Sequence, residues 1–239
     1  MPLRSVKAER LYDFVTHTHT HLGGKCSFDC QFCYVNAMPF ERPPKYRGAI
    51  RLMEEEFSVK YKTGKTVLME NSNDLFTHEV PRPWIKRVFE HCIRWPENTY
   101  VWLTQNPKRY VTLCLPTPPN SMWGATIESD IDHISISWAP PREARKRAME
   151  RFESDSKFLC IEPILDFDPE NFTRWIKEMK VRFIILGADT RGHSKLPEPK
   201  PEKVEELIKR VHDIGGVEIK IKKSLARLMQ GKSKLHKNV

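Results

Sequence analysis

The chain has 239 residues, of which 39% are apolar and 30% are charged. This length and composition exclude a disordered chain and predict one globular domain with a sizeable core. No run of about 18 apolar residues occurs, which argues against a membrane partner. Residues 1–10 lack the apolar core of a secretory signal, so we expect a cytoplasmic protein. The formal charge of +9 favours anionic partners, nucleic acid among them.

Short apolar runs alternate with longer amphipathic segments along the chain. The runs are rich in β-branched and aromatic residues and predict seven buried strands, at residues 12–20, 66–70, 100–104, 122–127, 157–164, 182–186 and 217–221. Between them, helices are predicted at residues 83–94, 141–153, 168–179 and 201–214. Asp168 followed by Pro169 is a typical helix start, and Gly215 with Gly216 is a typical helix stop.

The repeated strand–helix order predicts an α/β fold. About seven mostly parallel strands in a chain of this length fit a partial or small (β/α) barrel, and a doubly wound open sheet is the alternative. In either fold, reactive groups cluster at the C-terminal ends of the strands. We predict a single domain over residues 1–224, followed by a basic, flexible tail over residues 225–239.

Three of the six cysteines lie within eight residues, in the pattern C-x3-C-x2-C formed by Cys26, Cys30 and Cys33. Thiolates hold iron–sulfur clusters, and three thiolates on one loop leave the fourth iron of a cubane open to a small chelating ligand. The Gly23-Gly24 pair before them allows a sharp bend around such a cluster.

The alternative for this cysteine trio is a zinc site. A histidine would then supply the fourth ligand, from among His17, His19 and His21. The other three cysteines stand singly in apolar stretches and are predicted to be small buried residues: Cys92, Cys114 and Cys160.

The cysteine motif, followed directly by the aromatic Tyr34, resembles the signature of the radical S-adenosylmethionine (SAM) superfamily. Five further segments look like successive strand ends of one radical SAM group, at residues 70–76, 103–110, 124–129, 160–165 and 185–189. That group occurs in phages and prokaryotes, is poorly characterised, and is distantly similar to spore photoproduct lyase, a DNA-repair enzyme. The resemblance covers about residues 16–224 and departs from the usual pattern just before the cluster, where residues 16–21 alternate threonine and histidine.

The resemblance implies an enzyme with a partial or full (β/α) barrel, a [4Fe–4S] cluster and SAM as cofactors, and an electron donor of the flavodoxin or ferredoxin type. In the superfamily, the open iron binds the amino and carboxylate groups of SAM. An electron then cleaves SAM to methionine and a 5′-deoxyadenosyl radical, which abstracts hydrogen from the substrate. From the charge and the distant resemblance, we expect a nucleic acid or nucleotide as substrate, with a peptide or small metabolite as the alternative.

Polar residues at the predicted strand ends are the candidates for binding SAM. In the superfamily, the end of the second strand contacts the amino group of SAM. No Gly-Gly-Glu occurs there in this chain, so an amide or carboxylate oxygen would take its place. The alternatives are a helix N-cap at Asp74 and turn chemistry before Pro107. The predicted SAM-binding residues are Tyr34, Asn71, Asn73, Asp74, Thr104, Gln105 and Glu128.

Charged groups on the later strands are candidates for acting on the substrate. A buried carboxylate on a parallel strand is costly unless it is paired. Glu128 and Glu162 should therefore bind SAM or substrate, or pair with Lys220 or Lys222. The histidines at positions 17, 19 and 21 share one face of a strand, and they line the cluster site if that face points inward. The predicted catalytic residues are His19, His21, Glu162, Asp189 and Lys222.

For the three histidines, proton transfer, substrate binding and a second metal are the functional interpretations, and a polar strand edge with hydrogen-bonded imidazoles is the structural one. For the whole chain, two other functions compete with a radical SAM enzyme. One is a zinc- or cluster-stabilised nucleic-acid-binding protein without catalysis, and the other is an iron–sulfur electron carrier. Basic residues that would face a nucleic acid concentrate late in the chain, at Lys220, Lys222, Lys223, Arg227, Lys232, Lys234 and Lys237.

Overall fold

The computed structural model describes residues 3–6, 12–36, 44–133, 136–189 and 196–229. Its centre is an eight-stranded sheet. The strands are, in spatial order, β1 (Arg4–Ser5), β2 (His17–His19), β5 (Thr66–Met69), β6 (Thr99–Thr104), β7 (Ser121–Thr126), β8 (Lys157–Ile161), β9 (Phe183–Leu186) and β10 (Glu218–Ile221). Only β1 pairs antiparallel with its neighbour, and the other seven strands are parallel.

The seven parallel strands correspond to the seven predicted ones, so the α/β fold with a mostly parallel sheet is confirmed. Within the described ranges, β1 and β10 form the two edges, and no strand pairing closes the sheet into a barrel. The strand predicted at residues 12–20 is shorter, because a turn in which the Val15 amide donates to the Tyr12 carbonyl precedes it. The strand predicted at 157–164 ends early, before Pro163, which has no amide hydrogen to donate to the ladder.

Among the described residues, five helices connect the strands: α1 (Arg82–Ile93), α2 (Lys108–Thr112), α3 (Arg142–Arg151), α4 (Pro169–Met179) and α5 (Pro201–Ile214). Four of them lie within two residues of their predicted bounds, and α2 was not predicted. Asp168 caps α4 by accepting a hydrogen bond from the Asn171 amide at 2.7 Å, and Gly215 follows α5 with a φ of 70°. No helix in the described ranges is both long enough and apolar enough to cross a membrane.

The two faces of the sheet bury different residues. On one face, Val67 and Met69 pack with Trp102, Trp123 and the apolar sides of the helices in the larger core. On the opposite face, called here the inner face, alternate strand residues form a smaller cluster that includes Leu68, Val101, Phe158, Cys160, Phe183 and Ile185. The described helices therefore cover one face of the sheet, whereas the doubly wound alternative would place helices on both.

A two-stranded hairpin and several short 3-10 helices complete the fold. The hairpin pairs β3 (Leu22–Gly23) with β4 (Arg51–Leu52), and it was not predicted. Two 3-10 helices used below are Glu54–Ser58 and Lys223–Arg227. The second corrects the predicted domain end at residue 224, because Leu225 is buried and Arg227 pairs with Glu198. Residues 230–239 of the predicted tail lie outside the described residues.

The isolated cysteines differ in burial. Cys92 and Cys160 are buried, as predicted. Cys114 is exposed, which corrects the prediction for that residue. Cys114 follows α2 and has a φ of 44°. Its apolar neighbours Leu113 and Leu115 suggested a buried strand, but residues 113–118 form neither a strand nor a helix.

Gly124 on β7 provides a test of inner-face packing. A Cβ atom added there would lie 2.2 Å from the Phe158 ring. That ring cannot easily move, because it stacks on Phe183 with ring centroids 5.0 Å apart. We expect Gly124→Ala to lower the free energy of unfolding by about 1–3 kcal/mol through overpacking, measured by urea denaturation. In a Phe158→Leu background the same change should cost less, and an equal cost in both backgrounds would contradict this packing.

Candidate functional site

The three clustered cysteines lie on a loop that begins at the hairpin. Gly24 has a φ of 88°, and a Cβ atom there would lie 2.1 Å from the Ala49 carbonyl oxygen, so only glycine fits this bend. The Gly24 amide donates to the Lys45 carbonyl at 2.8 Å, and the Lys25 amide donates to the Gly48 carbonyl at 2.9 Å. The predicted sharp bend before the first cysteine is confirmed.

All three cysteines line one pocket that is open to solvent. Ser72, which follows β5, also lines this pocket. Gln105, which follows β6, donates from Nε2 to Cys30 Sγ at 2.8 Å. Asn73 donates from Nδ2 to the Gly24 carbonyl at 3.2 Å, which joins the end of β5 to the loop. The cysteine trio therefore lies at the C-terminal ends of neighbouring parallel strands, as the predicted fold requires.

Burial and negative neighbours disfavour thiolates in this pocket. Burial, together with the nearby Asp74 carboxyl, raises the pKa of the Cys26 thiol to about 12. Burial also raises the pKa of the Cys30 thiol, with further contributions from Glu128 and from the other two cysteines. The charged groups acting most strongly on these two sulfurs are all negative, so a bound cation would be needed to keep the thiols ionised.

Asp74 links the ends of β5 and β6. Its carboxylate accepts hydrogen bonds from the Thr104 hydroxyl at 2.7 Å, from the Gln105 amide at 3.0 Å and from the Phe76 amide at 2.8 Å. Burial raises the pKa of Asp74 to about 6, against the effect of these donors. The helix N-cap that was the alternative for Asp74 is not formed, because the bond to the Phe76 amide closes a turn and the next described helix begins only at Arg82. Asp74 and Thr104 hold Gln105 against Cys30, and a SAM contact for them stays a prediction.

Tyr34 and Asn71 lie next to each other at the rim of the pocket. The Tyr34 hydroxyl donates to the Asn71 carbonyl at 3.0 Å and lies 2.9 Å from the Ser72 hydroxyl. The Asn71 side chain in turn donates from Nδ2 to the Tyr34 oxygen at 3.0 Å. Of the residues predicted to bind SAM, Tyr34, Asn71, Asn73 and Gln105 thus surround the cysteine loop, and their role in binding stays a prediction.

Glu128 is fully buried and forms an ion-pair network with two arginines of α3. It accepts from Arg142 Nε at 3.0 Å and from Arg145 Nη1 at 3.2 Å, and both arginines are themselves buried. Pairing with Lys220 or Lys222, which was one of the alternatives for Glu128, therefore does not occur. The sequence reasoning missed Arg142 and Arg145, although their spacing of three residues places both on one face of a helix.

Glu162 and Lys222 meet on the inner face. Lys222 Nζ donates to both carboxylate oxygens of Glu162, at 2.6 and 2.8 Å, so this predicted pairing is confirmed. The ammonium also lies 5.0 Å from the centre of the Tyr12 ring, and the Tyr12 hydroxyl lies 3.4 Å from Cys160 Sγ. Asp189 is buried beyond β9, and its backbone carbonyl accepts from Arg227 at 2.9 Å. A catalytic role for Glu162, Lys222 and Asp189 stays a prediction.

The histidines do not line the cysteine pocket. His19 is paired in register with Met69, whose side chain belongs to the helix-covered face. His19 and His21 contact Tyr61 and His91 there, whereas His17 lies apart and is partly exposed. The expectation that this strand face points toward the cluster site is therefore corrected, and none of the three histidines lines the pocket as a fourth ligand for the cysteines.

Residues that the sequence reasoning did not single out complete this histidine cluster. Glu56 accepts from His19, and the hydrogen bond with His19 helps to lower the pKa of Glu56 to about 2. Burial raises the pKa of Glu70 to about 7, and burial lowers the pKa of His91 to about 4. His91, on α1, comes from a helix whose sequence showed only an amphipathic pattern.

Structures of spore photoproduct lyase share this fold. A cysteine-to-serine mutant of that protein aligns with a TM-score of 0.61 at 10% sequence identity, covering 90% of this chain and 79% of that chain. A complex with dinucleoside spore photoproduct aligns with a TM-score of 0.60, also at 10% identity, covering 86% of this chain and 76% of that chain. A double mutant with bound AdoMet and dinucleoside spore photoproduct gives 0.58 at the same identity and coverage.

At 10% identity these structures show a common fold and nothing finer. No curated protein matches the chain by sequence. The family DUF5131, described as a protein of unknown function, matches residues 13–209, which is most of the chain. The chain therefore belongs to the DUF5131 family.

Proposed function

We propose that this protein is a radical SAM enzyme whose [4Fe–4S] cluster is held by Cys26, Cys30 and Cys33, on a partial (β/α) barrel. The observation that carries the proposal is the cysteine pocket itself. Three thiols line one pocket at the C-terminal ends of parallel strands, and the side chain of Gln105, which follows β6, reaches one of them. The likeness of the fold to spore photoproduct lyase supports the same proposal.

The donor set fits a cluster. The negative surroundings of Cys26 and Cys30 favour a positively charged iron core over free thiols. The Gln105 side chain donates to Cys30 Sγ, and hydrogen bonds to cluster sulfurs are one of the means by which proteins set the reduction potential. When bound and reduced, the cluster would supply the electron that cleaves SAM and so generates the radical for hydrogen abstraction.

Gln105 is the residue best placed to contact SAM. Its Oε1 atom is buried and has no hydrogen-bond partner among the described residues, although its Nε2 atom lies at Cys30. A buried carbonyl oxygen without a donor is costly, and the ammonium group of SAM would satisfy it. The carboxylates of Asp74 and Glu128 already accept several hydrogen bonds, so they would position the site rather than bind the ammonium.

On the inner face, Glu162 and Lys222 are the groups available to orient a substrate. Both side chains are partly exposed to solvent, Glu162 by 20% and Lys222 by 21%. A charge pair in partial contact with solvent can exchange its partner for a polar substrate group at lower cost than a fully buried one. The cysteine pocket opens to solvent, and we propose that a flavodoxin or ferredoxin delivers the electron there.

We further propose a nucleic acid or nucleotide as the substrate. The formal charge of +9 supports it, as does the binding of a dinucleoside photoproduct by the structurally similar lyase. The late basic residues contribute less than the sequence suggested, because Lys220, Lys222 and Arg227 each pair with a carboxylate. The remaining contribution would come from Lys232, Lys234 and Lys237, which lie outside the described residues.

The first test is the metal content. Protein reconstituted anaerobically with iron and sulfide should bind about four irons and four sulfides per chain. Cys26→Ala, Cys30→Ala and Cys33→Ala should each abolish this binding, because each removes one of three ligands. Cys114→Ala is the matched control, since that thiol is exposed and does not line the cysteine pocket. Zinc that is lost in Cys26→Ala, together with no labile sulfide, would instead support the non-enzymatic alternative.

The second test concerns nucleic acid. Affinity for DNA or RNA should fall steeply with salt, because each neutralised phosphate releases counterions. Replacing Lys232, Lys234 and Lys237 together by Ala should reduce the slope of log affinity against log salt by up to about three units. Replacing the paired Lys220 by Ala should change the slope by less. No binding at low salt to single- or double-stranded DNA or RNA would remove nucleic acid as the substrate.

A further inference from the structure

A second group of potential metal ligands lies on the helix-covered face of the sheet and not in the cysteine pocket. His19, His21 and His91 each offer a nitrogen, and these atoms all lie within 4.8 Å of one another. His21 Nε2 lies 2.7 Å from His91 Nδ1. All three rings are buried, with exposed fractions of 6%, 0% and 2% in that order.

The Tyr61 hydroxyl lies among these nitrogens. Its oxygen is 2.5 Å from His19 Nδ1, 3.3 Å from His21 Nε2 and 3.5 Å from His91 Nδ1. Tyr61 is fully buried. Three imidazole nitrogens and one phenol oxygen therefore converge on one point, which is the number of ligands that a tetrahedral metal site requires.

In each imidazole, the ring nitrogen that points away from the Tyr61 hydroxyl, called here the outer nitrogen, faces a hydrogen-bond acceptor. His19 Nε2 lies 3.0 Å from Glu56 Oε2, His21 Nδ1 lies 2.9 Å from Glu70 Oε1, and His91 Nε2 lies 2.8 Å from the Val59 carbonyl oxygen. Carboxylate or carbonyl acceptors at these positions favour a proton on the outer nitrogen. The other ring nitrogen then carries a lone pair that points toward the Tyr61 hydroxyl and the other two rings. Metal-binding histidines almost always have such a partner.

With Glu70 ionised, the cluster has one hydrogen too few for its contacts. Three neutral imidazoles and one phenol carry four hydrogens in all. Three of these hydrogens serve the outer contacts with Glu56, Glu70 and Val59, and the phenol hydrogen serves His19. The contact of 2.7 Å between His21 Nε2 and His91 Nδ1 then joins two lone pairs, which repel each other. A metal ion between the two nitrogens removes this repulsion, and so does a proton on Glu70, whose pKa is raised to about 7 by burial.

We propose that His19, His21 and His91, with Tyr61 as a fourth ligand, bind one divalent transition metal ion. Imidazole ligands suit Zn²⁺ and its neighbours in the first transition row, whereas Ca²⁺ and Mg²⁺ require oxygen ligands. Glu56 and Glu70 provide negative charge around the ion, and the described chain shows one ammonium in contact with them, that of Lys45 on Glu56. The site differs from the cysteine pocket and does not depend on the proposed cluster.

The ion would have a structural role, because buried protein groups fill all four positions. It would join β2, the helix α1 and the segment after the 3-10 helix Glu54–Ser58. His21 stands five residues before Cys26, so the same ion fixes the start of the cysteine loop. The backbone amides of His21 and Leu22 also donate to Glu70, at 2.8 and 3.1 Å, which reinforces this anchor.

The test uses the full-length chain in two forms, one with its cysteines intact and cluster reconstituted, and one carrying Cys26→Ser, Cys30→Ser and Cys33→Ser. Each is loaded with Zn²⁺ or Co²⁺, dialysed and analysed for metal. Both forms should retain about one zinc per chain. The cobalt form of the cysteine variant should show the intense visible bands of tetrahedral Co²⁺, without sulfur-to-metal charge transfer. Removing the metal from the cysteine variant with a chelator should lower the melting temperature of the protein, and adding Zn²⁺ again should restore it.

Two histidine variants complete the test in the chain that carries the three Cys→Ser changes. His91→Asn should lose the retained zinc, and His17→Asn, the matched control from the same strand as His19, should keep it. Absence of retained metal and of cobalt bands in the folded triple-serine protein would overturn the proposal. So would unchanged zinc retention in folded His91→Asn. Either result would assign the missing positive charge to a proton shared by Glu70 and His21.

Discussion

Burying cysteine thiols among negative groups is the constraint on which the rest of the site depends. A thiolate in such a pocket is unfavourable unless a cation compensates for it. Here Asp74 and Glu128 make the surroundings of Cys26 and Cys30 more negative, yet the fold uses a hairpin, a glycine bend and a glutamine to bring these sulfurs together. Such an arrangement is consistent with a site built for a positively charged metal core.

The surrounding fold supports this pocket from the strand ends. Asp74 connects β5 to β6 through Thr104 and Gln105, and Gln105 reaches Cys30. The buried pairs of Glu128 with Arg142 and Arg145 fix α3 against the end of β7. Removing one partner of such a buried pair typically costs about 3–5 kcal/mol, so these charges are tightly coupled to the stability of the edge that carries the pocket.

Much of the fold was predictable, because its strands are buried on both faces and so appear as continuous apolar runs. The short β1 and the β3–β4 hairpin were not, since strands of two residues leave no periodic signal. The predicted helix bounds were accurate where a capping residue such as Asp168 or Gly215 marks the end of the helix. The helix α2 is too short to show an amphipathic repeat.

The candidate site was predictable only in part. The cysteine motif is local in sequence, and the structure brings its members to one pocket as expected. The orientation of the histidines and the partners of Glu128 depend on tertiary contacts, which the sequence does not show. The alternation of His19 and His21 shows that they share a face but not which face, and the partner His91 lies about 70 residues away in sequence. Likewise, the sequence shows that Glu128 needs a partner without showing that arginines of α3 provide it.

The most direct test of the central claim is the electron paramagnetic resonance spectrum of the reduced protein with and without SAM. Anaerobically reconstituted protein, reduced with dithionite and carrying about four irons per chain, should give a cluster signal that SAM alters, because in the proposed site SAM would bind the iron that has no cysteine ligand. Slow formation of 5′-deoxyadenosine should accompany this change. A fully loaded, reduced cluster with a spectrum that SAM leaves unchanged, and no 5′-deoxyadenosine, would contradict the account.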